Sequence, residues 1–271
     1  MRAQDLPGRV RVTGPSTGGG RIHALRHLDF AAVQVAAIVR RVAAHSRGRG
    51  VLPVLADCAS WGTRWVAGRP RANRPGTATF RHDGADHGYL RHPYNHTWLN
   101  ERAVEVPLAE SVLAGYDPAR VLEVGNVLAH YRPVRHTVVD KYERRAGVHN
   151  VDVVDIDLAG PFDLILAIST LEHVGLDEDV QDPGKPARAI AHLASLLAPG
   201  GRLWCTVPVG YNRSLDRLLR EDGLGFTRLT ALRRLDRANR WAEVPVDEVW
   251  DVAYDRLLYT AHAVVVAETQ R

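Results

Sequence analysis

Residues 120–131 read RVLEVGNVLAHY. A short apolar run ends at a glycine followed by Asn, the pattern of a buried strand entering a tight turn. A dinucleotide site on such a turn needs glycine at its first, third and sixth positions, the middle one so that backbone can approach a pyrophosphate. Here Gly125 holds the first position, while Val127 and His130 hold the third and sixth. A Cβ and a bulky ring at those places argue against a pyrophosphate cradle, and so against a dinucleotide oxidoreductase. The stretch predicts a strand, a turn and a helix start beneath a ligand without phosphates, with Asn126 able to tolerate positive φ beside Gly125.

Outward from this stretch, strands and helices alternate. Strands are expected at residues 120–124, 137–139, 151–154, 162–168 and 202–207, and two more near 226–235 and 259–267. Helices are expected at 187–197 and near 215–220. The pattern predicts an α/β fold with a doubly wound, mostly parallel, seven-stranded sheet. Residues 1–115 are less regular and rich in Gly, Pro, Arg and His. They read as an N-terminal extension covering the substrate, with residues 116–271 as the ligand-binding domain. Helical periodicity recurs at residues 23–44 and 97–113. GPSTGGG at residues 14–20 lacks the Lys-Ser/Thr pair of a phosphate loop and is read as a linker.

Composition narrows the classes. Hydrophobic content of 45% and charged content of 24% are ordinary for a soluble globular chain. The pI of 9.3 invites a nucleic-acid reading. The net charge is only +4, however, and no basic block with interleaved aromatics occurs, so no nucleic-acid partner is expected. Nearly all basic residues are Arg; the only lysines are Lys141 and Lys185, a bias attributed to codon composition. Cys58 and Cys205 fit no metal or redox spacing, which suggests reduced thiols and a cytoplasmic location. Residues 1–21 lack the apolar stretch of a signal peptide, and the longest weakly charged run, 30–39, is too short for a membrane span. Packing or a homodimer is the expected use of the apolar side of residues 23–44.

Ligands of open α/β sheets bind outside the carboxyl ends of the strands. Asp140, ending the second strand, is placed to accept from both ribose hydroxyls, and Asp155, ending the third, from an adenine amino group beside Ile156. A nucleoside held without a phosphate grip points to S-adenosylmethionine.

At these residues the chain resembles class I S-adenosylmethionine-dependent methyltransferases. The matching segments are VLEVG (residues 121–125), Asp140, Asp155, FDLILAISTLEHV (162–174) and LLAPGGRLWCTVP (196–208). NER (100–102), VVDKYE (138–143) and VGYN (209–212) are similar to a divergent branch of sugar O-methyltransferases of polysaccharide and methylmannose-polysaccharide pathways. The resemblance implies that Glu123 and Gly125 lie by the methionine moiety and Asp140 by the ribose. Asp155 and Ile156 would frame the adenine, and Ser169 and Leu171 would line the floor. Asn126 and Tyr131 complete the implied cofactor set, although Tyr131 and His130 serve equally well to pack the first helix.

An alcohol acceptor loses its proton as the new bond forms, which calls for a base near neutral pH. His173 falls where the acceptor meets the methyl group, and Glu172 either orients its other nitrogen or points into the core. The expected acceptor is a sugar-like small molecule or an oligosaccharide. An RNA or protein methyltransferase, or a non-catalytic cofactor-binding protein, are the alternatives. His82, Asp83, Asp86, His87, His92 and His96 suit a polar lid over a sugar better than a metal site, and no metal ligands are assigned.

Overall fold

The computed structural model describes residues 39–74 and 76–271. The expected linker at 14–20, the leader reading of 1–21 and most of the helix expected at 23–44 lie outside the described residues; residues 39–49 are helical. Helix α1 spans Val51–Gly68. A hairpin follows, β1 (Thr79–His82) paired with β2 (Ala85–Gly88), and then α2 (Arg102–Leu113). The later strands are β3 (Val121–Val124), β4 (Thr137–Val139), β5 (Val148–His149), β6 (Phe162–Ile168), β7 (Leu197–Pro208), β8 (Arg228–Arg234), β9 (Trp241–Val244) and β10 (Ala263–Gln270). Helices α3 (Lys185–Ser195) and α4 (Arg213–Glu221) flank β7 in the chain.

These strands make one sheet in the order β5-β4-β3-β6-β7-β10-β8-β9. β5 to β7 run parallel, and β10 inserts antiparallel between β7 and β8. The expected architecture is present, with eight strands rather than seven. The additional strand is β9, paired antiparallel to β8 at the sheet edge.

β6 shows why the centre is legible. FDLILAI is almost entirely apolar because both faces of the strand are covered, and successive side chains point to opposite faces. Ile165 packs with Ala189, Ile190, Leu193 and Leu215 of α3 and α4. Leu164 and Leu166 pack on the other face with Val104 and Leu108 of α2 and with Phe80 of the hairpin. Residues 80–113 therefore help cover that face of the sheet, and residues 56–271 pack as one compact unit.

Three local expectations are corrected. The helix expected after β3 does not form: only a 3-10 turn occurs at Leu128–His130, and Pro133 bars a helix from continuing. The third strand is only two residues long and lies before residues 151–154. There a 3-10 turn, Val153–Asp155, is capped by the Asp152 side chain accepting from Val154 N, which sends Val153 and Ile156 into the core. The helix expected from residue 97 starts at Arg102, because residues 94–99 form a 3-10 turn in which Asn95 and His96 have φ of 55° and 47°.

Candidate functional site

A cleft of about 310 Å³ opens at the carboxyl ends of β3, β4 and β6. Its floor is the turn after β3. Gly125 has φ +84°, and a Cβ there would lie 2.2 Å from Thr170 Oγ1. The close approach of the loop after β6, rather than of a phosphate, thus demands this glycine. Asn126 follows without positive φ. Its backbone N–H donates to Asp140 Oδ2 (3.1 Å) and its Nδ2 to Glu143 Oε1 (2.8 Å). Asn126 Oδ1 is buried without a partner, and the residue lines the cleft.

The two strand-end acids differ in direction. Glu123 is fully buried beneath the turn, where Oε1 accepts from Val127 N and Leu128 N at 2.8 Å each and Oε2 meets His136 Nε2 at 2.6 Å. It fastens the turn and is absent from the cleft wall. Asp140 does line the cleft, but Oδ1 already accepts from Tyr142 N (2.8 Å) and Glu143 N (2.7 Å), and Oδ2 from Asn126 N. A carboxylate offers about four acceptor positions, so little capacity remains there, and Glu143 stands beside it on the same wall. Asp155 is exposed and outside the cleft, and Ile156 is buried in the core. The wall at that end is made instead by Val151, Asp152 and Val153.

At the end of β6, Ser169 has φ +39° and its hydroxyl donates to the buried Glu105 (2.5 Å). Glu105 also accepts from Arg102 Nη1 (2.7 Å). Arg102 and Ser169 reach the cleft; Leu171 is fully buried in the core. Glu172 is also buried, Oε2 has no partner, and desolvation holds its carboxyl well above the usual range.

His173 lines the cleft with a side chain 45% exposed. Its Nδ1 lies 2.5 Å from Asp177 Oδ2, which also accepts from the Tyr211 hydroxyl at 2.6 Å. Burial alone would raise the Asp177 pKa, but the bonds from His173 and Tyr211 overcome it and hold the carboxylate ionised. Glu172 Oε1 is 3.5 Å from Nε2, beyond a good hydrogen bond. Asp177, not Glu172, is therefore the group that orients the ring. Sequence reasoning missed both Asp177 and Tyr211. The signal available for Asp177 was its place four residues after His173; Tyr211 lies within the VGYN segment (209–212), which the sequence singled out without giving the tyrosine a role.

Tyr131 faces the cleft in edge contact with Tyr94 and His92, and Tyr94 stacks on His130 with centroids 4.2 Å apart. Tyr94 and Asn95 are thus wall residues supplied by the segment before the sheet. The other histidines disperse. His82 bonds Thr230, Asp83 pairs with Arg228, His87 stacks on Phe80, and His96 sits among Trp61, Trp65 and Trp98. Among the described residues, no three His, Cys, Asp or Glu side chains gather as a metal site. No described helix is long and apolar enough to cross a membrane.

An unpartnered buried amide oxygen, the four acids Asp140, Glu143, Asp152 and Glu178, and a cleft with no α-helix N-terminus behind its glycine turn suit a ligand bearing hydroxyls and amines and lacking phosphates. Residues 93–244 match a family model described as a methyltransferase domain. No curated protein matches the sequence. Among solved structures, the N-methyltransferase NodS of Bradyrhizobium japonicum, complexed with S-adenosyl-L-homocysteine, is 16% identical with a TM-score of 0.42 over 63% of this chain and 87% of that one. An S-adenosylmethionine-dependent methyltransferase of Thermotoga maritima is 17% identical, with a TM-score of 0.42 over 66% and 94%. A 1,6-didemethyltoxoflavin-N1-methyltransferase of Burkholderia thailandensis is 19% identical, with a TM-score of 0.38 over 62% and 79%.

Proposed function

This chain belongs to the methyltransferase-domain family and is an S-adenosylmethionine-dependent methyltransferase; on that premise we propose that it methylates a hydroxyl of a sugar or sugar-containing small molecule. The observation that carries the proposal is the His173–Asp177 pair at the cleft wall. An alcohol must lose a proton as it becomes a nucleophile, and an imidazole held through Nδ1 by an ionised carboxylate keeps Nε2 available to take it.

In this reading Asn126 Oδ1, Asp140 and Glu143 hold the hydroxyl-bearing part of the cofactor. Val151, Asp152 and Val153 flank the base, and Gly125 and Ser169 form the floor. The bound cofactor supplies a methyl group already activated by a sulfonium. The protein aligns the acceptor oxygen and excludes water. The acceptor proton passes to His173 Nε2, Asp177 stabilises the resulting imidazolium, and the Tyr211 hydroxyl keeps Asp177 in place. Tyr94, Asn95 and His130 give the cleft mouth the polar and aromatic character that a carbohydrate uses. The NER, VVDKYE and VGYN segments support the same acceptor class, with an oligosaccharide as the larger form. The unpaired thiols Cys58 and Cys205 are consistent with a cytoplasmic setting.

The test is methyl transfer from labelled S-adenosylmethionine to a panel of free and nucleotide-linked sugars, with RNA and peptides alongside. His173→Ala should lower turnover by ~10²–10⁴-fold and leave S-adenosylhomocysteine affinity near wild type. Near-normal turnover in this variant would remove the base from the proposal, and transfer to RNA or peptide alone would remove the sugar.

A further inference from the structure

Two of the 35 basic residues in this chain are lysines, Lys141 and Lys185, and both end in the same ring of four charges. Lys185 Nζ donates to Asp152 Oδ2 (2.6 Å) and to both oxygens of Glu178 (2.7 Å each). Lys141 Nζ lies 2.8 Å from Asp152 Oδ2 and 3.2 Å from Glu178 Oε2. The ring ties together the loop after β4, the turn after β5, the loop after β6 and the first turn of α3. Lys141, Asp152 and Glu178 line the cleft, while Lys185 closes the ring from behind at 8% exposure. Burial would raise the Asp152 carboxyl, yet the two ammonium groups pull it down to about 2; Glu178 is lowered and both lysines are raised.

The residue type is informative. Among the described residues, Arg120–Asp163, Arg188–Asp182 and Arg240–Asp236 are exposed pairs in which a planar guanidinium meets one carboxylate. Arg228 does bridge two, with Nη1 donating to Asp83 Oδ2 (2.8 Å) and Glu268 Oε1 (2.9 Å), but in an open position with its side chain 43% exposed. Each nitrogen of the ring also faces carboxylates on two different side chains, and at the enclosed Lys185 a tetrahedral ammonium directs three divergent donors at them from one atom. Lys185 uses three such contacts. A guanidinium in that enclosed place would spread its donors over a plane and push Asp152 away from Glu178.

We propose that this ring is the positioning device for the base end of the cofactor cleft, that it requires lysine at both positions, and that bound cofactor covers Lys141. The inference rests on the placement of the cofactor in this cleft. Asp152 and Glu178 stand on separate loops, and the two ammonium groups set the gap between them. Lys141→Arg and Lys185→Arg therefore act as positioning changes in spite of their conserved charge.

Calorimetry with S-adenosylhomocysteine and steady-state kinetics on the two Arg variants test it, beside acylation of the wild-type protein. Each variant should raise both the Kd for S-adenosylhomocysteine and the KM for S-adenosylmethionine by about tenfold, with kcat at saturation within about twofold. The acylation needs no variant and so stands even where one fails to fold. With only two lysines, mass spectrometry after treatment with an N-hydroxysuccinimide acetate resolves each site, and S-adenosylhomocysteine should slow acetylation of Lys141 several-fold. Wild-type affinity in both Arg variants, or equal acetylation of Lys141 with and without ligand, would overturn the proposal. A wild-type protein that binds no S-adenosylhomocysteine would instead overturn the cofactor placement itself, and the ring's role with it.

Discussion

Replacing Glu123 separates a residue that builds the site from one that touches the ligand. The side chain is fully buried and accepts from two backbone amides at 2.8 Å, with His136 Nε2 at 2.6 Å. Glu123→Ala leaves two buried polar groups unmatched, Leu128 N and His136 Nε2, while Val127 N keeps Gly125 O at 3.0 Å. Each such group costs ~1–3 kcal/mol, and partial relaxation brings the total to ~2–5 kcal/mol. Domains of this kind are stable by ~5–15 kcal/mol, so the Ala variant should lose a large part of its stability. Glu123→Gln keeps an oxygen for Val127 and Leu128 and disturbs only the side facing His136, a loss of ~1–2 kcal/mol. Urea unfolding should therefore show the midpoint falling much further for Ala than for Gln at similar slope. Calorimetry on the Gln variant should find S-adenosylhomocysteine affinity within a few-fold of wild type, because Glu123 does not line the cleft. A loss below ~1 kcal/mol in the Ala variant would refute the accounting of buried donors. A Gln variant of normal stability that no longer binds would put Glu123 back beside the methionine moiety.

Gly125→Ala forces a side chain into a left-handed conformation, costing ~1–2 kcal/mol, and drives its Cβ into Thr170. A lowered Tm together with weakened S-adenosylhomocysteine binding is expected, and unchanged binding would show that the turn does not shape the floor. Asp177→Asn should cut turnover by at least ~10-fold, with cofactor affinity retained. Tyr211→Phe should show a smaller loss in the same assay, and equal effects would mean that Tyr211 does more than hold Asp177. Asp216 supplies a pH test: burial raises its carboxyl to about 6, its Oδ1 is unpartnered, and Oδ2 accepts from Gly210 N at 2.9 Å. The folded state holds this proton more tightly than the unfolded chain, so stability from this group is full below the ordinary carboxyl value of 3.8 and is lost as pH rises from there through about 6, by at most ~3 kcal/mol. Asp216→Asn should accordingly raise Tm relative to wild type at about pH 7.5 and give no gain at about pH 3; a gain equal at both would exclude ionisation as its source.

What the sequence by itself determined was the sheet. FDLILAI at β6 and the apolar part of β7 announce themselves because a strand covered on both faces has to be apolar along its length, and that requirement is local. Asn212 likewise caps α4 through amides two and three residues away. Asp140 and His173 were legible as cleft residues because strand ends in such a sheet converge on one edge. The directions of polar side chains were decided only in the tertiary structure. Glu123 and Asp140 are both acids at strand ends, yet Glu123 turns under the loop because His136 and two amides await it there. Asp152 rather than Asp155 faces the cleft because a two-residue strand ends early and Lys185, far along the chain, draws that carboxylate inward. Tyr211 meets Asp177 only once β7 lies beside β6. Apolar burial acts through area summed over many neighbours, so a periodic pattern is enough to reveal it. A hydrogen bond or ion pair depends on one partner at one distance and direction, which the chain acquires only when remote segments have packed.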